Sequence, residues 1–259
     1  MNKDNHSSTG YRYWLLGGLT ALAITAVFLH APVRQAPSYH DFADKRTFWG
    51  IPNCWNVLSN LPFLFVGVAG LLSLTKSRTP EGIAGIYGLL FSGIILTGFG
   101  SAYYHLSPNN DRLVYDRIPM TIVFMSLLSA TIAEMINDKA GRRLLMPLVL
   151  LGVFSVLWWH YGELHGKGDL RLYGLVQFYP MLIIPLILLL FRSPGSNQGI
   201  RELGWVVVWY AVAKVLEHFD KELFSVGEVV SGHALKHLAA GMATWWLAKM
   251  FGRKYGKLH

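Results

Sequence analysis

The chain has 259 residues, 53% of them hydrophobic and only 15% charged, with a formal net charge of +8. Soluble domains usually carry about 25% charged residues, so an ordinary soluble enzyme is excluded, and the single cysteine, Cys54, excludes an intramolecular disulfide and a cysteine-based zinc site. A nucleic-acid surface is excluded too, because Lys and Arg fall between apolar runs, as membrane topology signals do, and not on one face or tail.

A membrane span needs roughly 20 apolar residues. Eight segments qualify, at about 12–31, 53–75, 82–104, 115–135, 143–160, 172–191, 203–219 and 231–250. The first follows Lys3 and Arg12 and is longer than the apolar part of a signal peptide, so it reads as an uncleaved anchor. The second opens on Asn53, Asn56, Ser59 and Asn60. The third closes on Ser101 and His105, and the turn Pro108-Asn109-Asn110-Asp111 leads to Asp116 at the head of the fourth. The seventh is the weakest, since Trp205–Ala213 is followed by Lys214, Glu217 and His218. The eighth carries His233 and His237 in its first two turns. All connections are short, so no soluble domain is left over.

Eight spans place both termini on one side. The loops on that side hold thirteen Lys and Arg against four Asp and Glu, and the opposite loops hold eight against nine. The positive-inside rule then puts both termini in the cytoplasm. His105, Ser101, Asp116, His233, His237 and the polar start of the second span all fall at one depth, in the outer half of the membrane.

Residues four apart on a helix share a face. His233 and His237 can therefore chelate one ion, and Ser101 and His105 likewise point the same way. Three neutral imidazoles leave a fourth zinc position for water, the arrangement of a catalytic site, and zinc lowers the pKa of that water towards about 7. Asp116 is the nearest proton acceptor, and Ser101 can hydrogen-bond an oxyanion. Taken singly, the histidines also suit a core role and Ser101 a helix-packing role. Lys236 points away from the histidines, towards Glu217 or Asp220. Asn56, Ser59 and Asn60 either bond neighbouring helices or surround the site.

Gly98-Phe99-Gly100-Ser101-Ala102-Tyr103-Tyr104-His105, then Asp116, then Ser231-Gly232-His233-Ala234-Leu235-Lys236-His237 resemble the alkaline ceramidase family, within the CREST superfamily that also holds the adiponectin and progestin receptors. Asn53-Cys54-Trp55-Asn56-Val57-Leu58-Ser59-Asn60 resembles that family's first core span. The resemblance implies an all-α integral membrane fold, a seven-transmembrane-helix bundle over residues 39–251. An extra N-terminal helix lies within 1–38 and a basic tail at 252–259. It implies zinc (Zn2+) on His105, His233 and His237, with Asp116 and Ser101 catalytic at the zinc-bound water; apart from the resemblance, Glu217 and Asp220, with Asn56, Ser59 and Asn60, are candidates to surround the site by their places in the sequence. It further implies hydrolysis of the amide of a ceramide-like membrane lipid; a zinc-containing lipid receptor without turnover is the alternative from the same superfamily. The family's eukaryotic members also bind calcium (Ca2+) beside the first core helix. The matching residues are Asp41, Phe42, Asp44, Arg46 and Asn53, with Asn53 where those members have a glutamate. Calcium takes 6–8 oxygens, and the alternative is that Lys45 and Arg46 pair with Asp41 and Asp44. No obligate protein partner is expected. Short tails and bare loops suggest a bacterial inner-membrane protein.

Overall fold

The computed structural model describes residues 7–191 and 199–256. Lys3, Asp4, Arg192 and Lys257, which enter the charge count above, lie outside the described residues. The helices are α1 (Ser7–Leu29), α2 (Cys54–Leu58), α3 (Leu61–Lys76), α4 (Glu81–Leu106), α5 (Asn110–Met135), α6 (Asp138–Leu164), α7 (Arg171–Leu190), α8 (Ile200–His218), α9 (Asp220–Ser225) and α10 (Gly232–Tyr255). A 3-10 turn, Pro37–His40, precedes α2. Among the described residues there is no strand beyond an isolated bridge between Phe48 and Ile51.

Every expected span is helical. Six segments are long and apolar enough to cross a membrane: Gly10–Leu29, Cys54–Lys76, Glu81–Leu106, Asn110–Met135, Asp138–Leu164 and Arg171–Leu190. The protein is therefore a multi-pass membrane protein. α8 and α10 fall short because Lys214, Glu217, Lys236 and Lys249 interrupt them. They pack extensively on each other, and α10 also packs on α3. Lys214, Glu217 and Lys236 line an internal cavity, which is how a bundle accommodates charge.

Two local features decide where the polar residues go. The second segment is broken: α2 ends at Leu58, Ser59 and Asn60 intervene, and α3 starts with Pro62 in its first turn, where the missing N–H leaves nothing unpaired. The break turns Ser59 and Asn60 inward, and both are buried. The second feature is a close approach of α4 to α5. A Cβ on Gly100 would lie 2.0 Å from the Tyr115 carbonyl oxygen, so only glycine lets Ser101 and Asp116, the next residue on each helix, meet. Small residues serve membrane helix packing in this way because water exclusion does not drive it.

The remaining core is chiefly apolar. Ile86, Leu90, Phe91, Ile94, Ile184, Ile187, Leu247 and Phe251 interlock in the largest buried cluster. Cys54 is fully buried, in keeping with a packing role. α1 lies against α7, with the Thr20 hydroxyl 2.6 Å from that of Tyr179, and otherwise stays on the outside of the bundle.

Candidate metal centre

His105 sits in the last turn of α4, His233 in the first turn of α10 and His237 one turn further on. All three are buried, and one ligand atom from each falls within 4.8 Å of the others. The Nε2 atoms of His105 and His233 are 3.2 Å apart. A tetrahedral metal bound at about 2.0–2.1 Å needs ring nitrogens about 3.3 Å apart. The donor set fits such an ion.

The surroundings fix the ring orientations. Ser231 caps α10, its Oγ accepting from Ala234 N at 3.1 Å, and Asp220 Oδ1 accepts from His233 N at 2.7 Å. These contacts satisfy two N–H groups that a helix start leaves open. His237 Nδ1 lies 2.8 Å from Ser59 Oγ, which donates to the Asn56 carbonyl at 3.2 Å. With the Ser59 proton on that carbonyl, Nδ1 is the donor to Ser59 and Nε2 is left free for a metal, a support that metal-binding histidines commonly have. His105 Nδ1 is buried without a partner among the described residues. Phe42 closes the cluster on one side, its ring centroid 4.2 Å from that of His233 and 4.7 Å from that of His105.

A cavity of about 130 Å³ adjoins the cluster. His237, Asp116 and Ser101 line it, and Ser101 faces the Asp116 carboxylate. The rest of the wall is chiefly apolar, from Ile94, Leu127, Val206 and Leu247 among others. Tyr39, Gln177, Tyr210 and Lys214 also line it, and the sequence did not single them out for the site. His40, likewise unforeseen, bonds the Tyr104 hydroxyl at 2.8 Å and Asn110 Oδ1 at 3.0 Å.

The other candidates fall as follows. Asn56 donates to the Asp44 carbonyl at 3.1 Å, and Asn60 donates back to the Asn56 carbonyl at 2.8 Å. Asp220 joins His233 to the segment after α1, accepting from Ala43 N at 2.9 Å. Lys236 pairs with Glu217 rather than Asp220, at 3.0 Å.

The residues that calcium would need do not fit it. Arg46 donates through Nε and Nη2 to the two oxygens of Asp44 at 2.8 and 2.7 Å, and also to the carbonyls of Glu228 and Val229. A guanidinium thus stands among the oxygens a cation would take. Burial raises the Asp44 pKa, but Arg46 outweighs it and holds the carboxyl below its ordinary range. Asp41 bonds Lys45 at 2.5 Å and Lys221 at 2.9 Å, which hold it down to about 2. Asn53 turns to the His105 carbonyl at 2.8 Å, and Phe42 to the imidazoles.

Fold and site together define a class: helical membrane proteins with a buried three-histidine centre, able to hold a metal, beside an apolar cavity. Within that class the chain belongs to the Ceramidase family, whose model matches residues 47–252. No curated protein matches the chain. Family membership makes it a ceramidase-type hydrolase acting on lipid amides.

Proposed function

We propose that the protein is an intramembrane zinc-dependent amidohydrolase that cleaves the N-acyl amide of ceramide-like lipids to a sphingoid base and a fatty acid. The observation that carries this reading is the meeting of three buried imidazoles from α4 and α10 beside a cavity that His237, Asp116 and Ser101 share. His105, His233 and His237 are the zinc ligands. When bound, zinc polarises a carbonyl and brings the pKa of water near about 7.

The chain's own residues do the rest. The apolar wall takes the acyl chain and keeps bulk water out. The Asp116 carboxylate takes a proton from the attacking water and returns it to the nitrogen of the leaving amine. The new bond joins the water oxygen to the acyl carbon, and the bond broken is the amide C–N. Ser101 Oγ turns its O–H from Asp116 to the oxyanion as the carbon becomes tetrahedral.

In the same reading α2 with α3, α4, α5, α6, α7, α8 and α10 form the seven-helix domain over residues 39–251, and α1 is the added N-terminal helix. Both termini are cytoplasmic, the site lies near the outer face, and the membrane is a bacterial inner membrane. Metal analysis of purified protein, together with fatty-acid release from a panel of N-acyl lipids, tests the assignment. Stoichiometric zinc with release from a ceramide is the expected result. Zinc-loaded protein that hydrolyses none of the panel would leave the receptor reading in its place.

A further inference from the structure

One group of charges in the cavity has no part in the hydrolysis above. Lys214 and Glu217 are three residues apart on α8, hence neighbours on one face, and Lys236 reaches them from α10. The Glu217 carboxylate accepts from both ammonium groups, from Lys214 at 2.7 Å and from Lys236 at 3.0 Å. All three side chains line the cavity with Ser101, Asp116 and His237.

Two cations here bond one anion, and the charge of Lys236 also bears on Asp116 without a direct contact. Asp116, the other carboxylate in the wall, faces Ser101, and neither ammonium bonds it. Each ammonium has three N–H donors and uses one on Glu217. Lys214 otherwise rests beside aromatic rings, 5.5 Å from the centroid of Phe178 and 5.9 Å from that of Tyr210. Among the described residues neither Nζ meets a further acceptor. A purely structural tie does not explain the second lysine. Lys236 with Glu217 already joins α10 to α8, whereas Lys214 and Glu217 are on the same helix and join nothing more. Ionised groups inside a membrane bundle are costly and tend to serve a function.

We propose that Lys214 and Lys236, braced by Glu217, bind an anionic oxygen group, a carboxylate or a phosphate, carried by the lipid in the cavity. This rests on the amide-hydrolase reading and deepens it: of two ceramide-like amides that the protein cleaves, one with an anion close to the scissile bond is held better than a neutral one. The carboxylate of the released fatty acid is a second source of the same chemistry.

The test uses full-length, metal-loaded protein in detergent, as wild type, Lys214→Gln, Lys236→Gln and Glu217→Gln. Two amides with one acyl chain are compared, an N-acyl amino acid bearing a carboxylate and a neutral N-acyl amino alcohol. The expected result is a preference for the anionic amide in kcat/KM that falls about tenfold or more in each lysine variant, mainly through KM. The preference rises in Glu217→Gln, which frees both ammonium groups; damage to the fold alone would not produce opposite signs. If the amide preference holds while inhibition by a free long-chain fatty acid weakens in the lysine variants, the anion bound is that of the product. Equal losses with both amides and unaltered fatty-acid inhibition overturn the proposal. Binding of a fluorescent fatty acid against its methyl ester gives a readout without turnover. Should no amide be hydrolysed, the hydrolase reading fails, yet carboxylate-dependent binding that the lysine variants lose still upholds the subsite, and its absence removes it. Should the lysine variants not fold, Glu217→Gln decides, and weaker or unchanged discrimination is the overturning outcome.

Discussion

The histidine centre and the segment from Asp41 to Arg46 lie against each other, and both gather donor atoms from distant parts of the chain. They end in opposite states. In the segment, each carboxylate is matched by a cation of the chain itself, Asp41 by Lys45 and Lys221 and Asp44 by Arg46. In the centre, three imidazoles turn towards one point, and among the described residues no carboxylate joins them there. A donor set that contains its own cation has nothing left to offer a metal. One that lacks a cation, and is buried, has no better partner than a metal. Buried polar groups must be satisfied somehow; the first set is satisfied from within the chain, the second is able to take a metal, and Phe42 lies between them.

The contrast can be broken most severely at the open set. His233→Ala or His237→Ala should eliminate retained zinc and reduce fatty-acid release to background, read by metal analysis and product assay on the same sample. Asp116→Asn comes next. It should keep the metal and lower kcat by about 10²–10⁴-fold, the usual worth of a positioned acid–base group; near-normal turnover would remove Asp116 from the proton path. Ser59→Ala, which deprives His237 Nδ1 of its partner, should weaken zinc affinity by about 10–100-fold, as loss of such a support typically does, measured by competition with a chelating dye.

The closed set should respond more mildly. Arg46→Met leaves Asp44 and two carbonyls without their cation and should lower the melting temperature by a few degrees. The wild-type melting curve should be the same in excess calcium and in a calcium-selective chelator, and a calcium-dependent rise would contradict the role given to Arg46. Acid should do least. Asp41 is held down to about 2 in the fold against an ordinary value of about 3.9. Its stabilisation is therefore complete above that ordinary value and is lost progressively as the pH falls from there through about 2. Fluorescence of the nearby tryptophans should report an intact segment at pH 4.

Much of this was legible in the residues. Long apolar runs located every long helix, because backbone groups in lipid must bond within their own segment; the short α9 has no such run. The i, i+4 histidines and the Ser101–His105 pair announced the centre. Other features left no periodic mark. The break at Ser59 and Asn60 is ordinary small-polar sequence until Pro62 is seen to begin a new helix. Gln177 and Tyr210 are single polar residues in apolar runs, and only the packing of α7 and α8 brings them to the cavity. Lys214 looked like a flaw in a span, since a sequence records a charge without its partners. Arg46 was visible as a cation beside acids, but its hold on Glu228 and Val229 crosses most of the chain and has no local signal.

The fastening of Phe42 has a kinetic meaning. The aromatic ring shutters two of the imidazoles, and the stretch that bears it is bolted down on both flanks, by Asp220 at Ala43 and by Arg46 to the loop before α10. On its other side the centre adjoins the cavity that Ser101, Asp116 and His237 line. A metal held by the three imidazoles would therefore leave by the cavity side, and not past the ring, for as long as that stretch stays fastened.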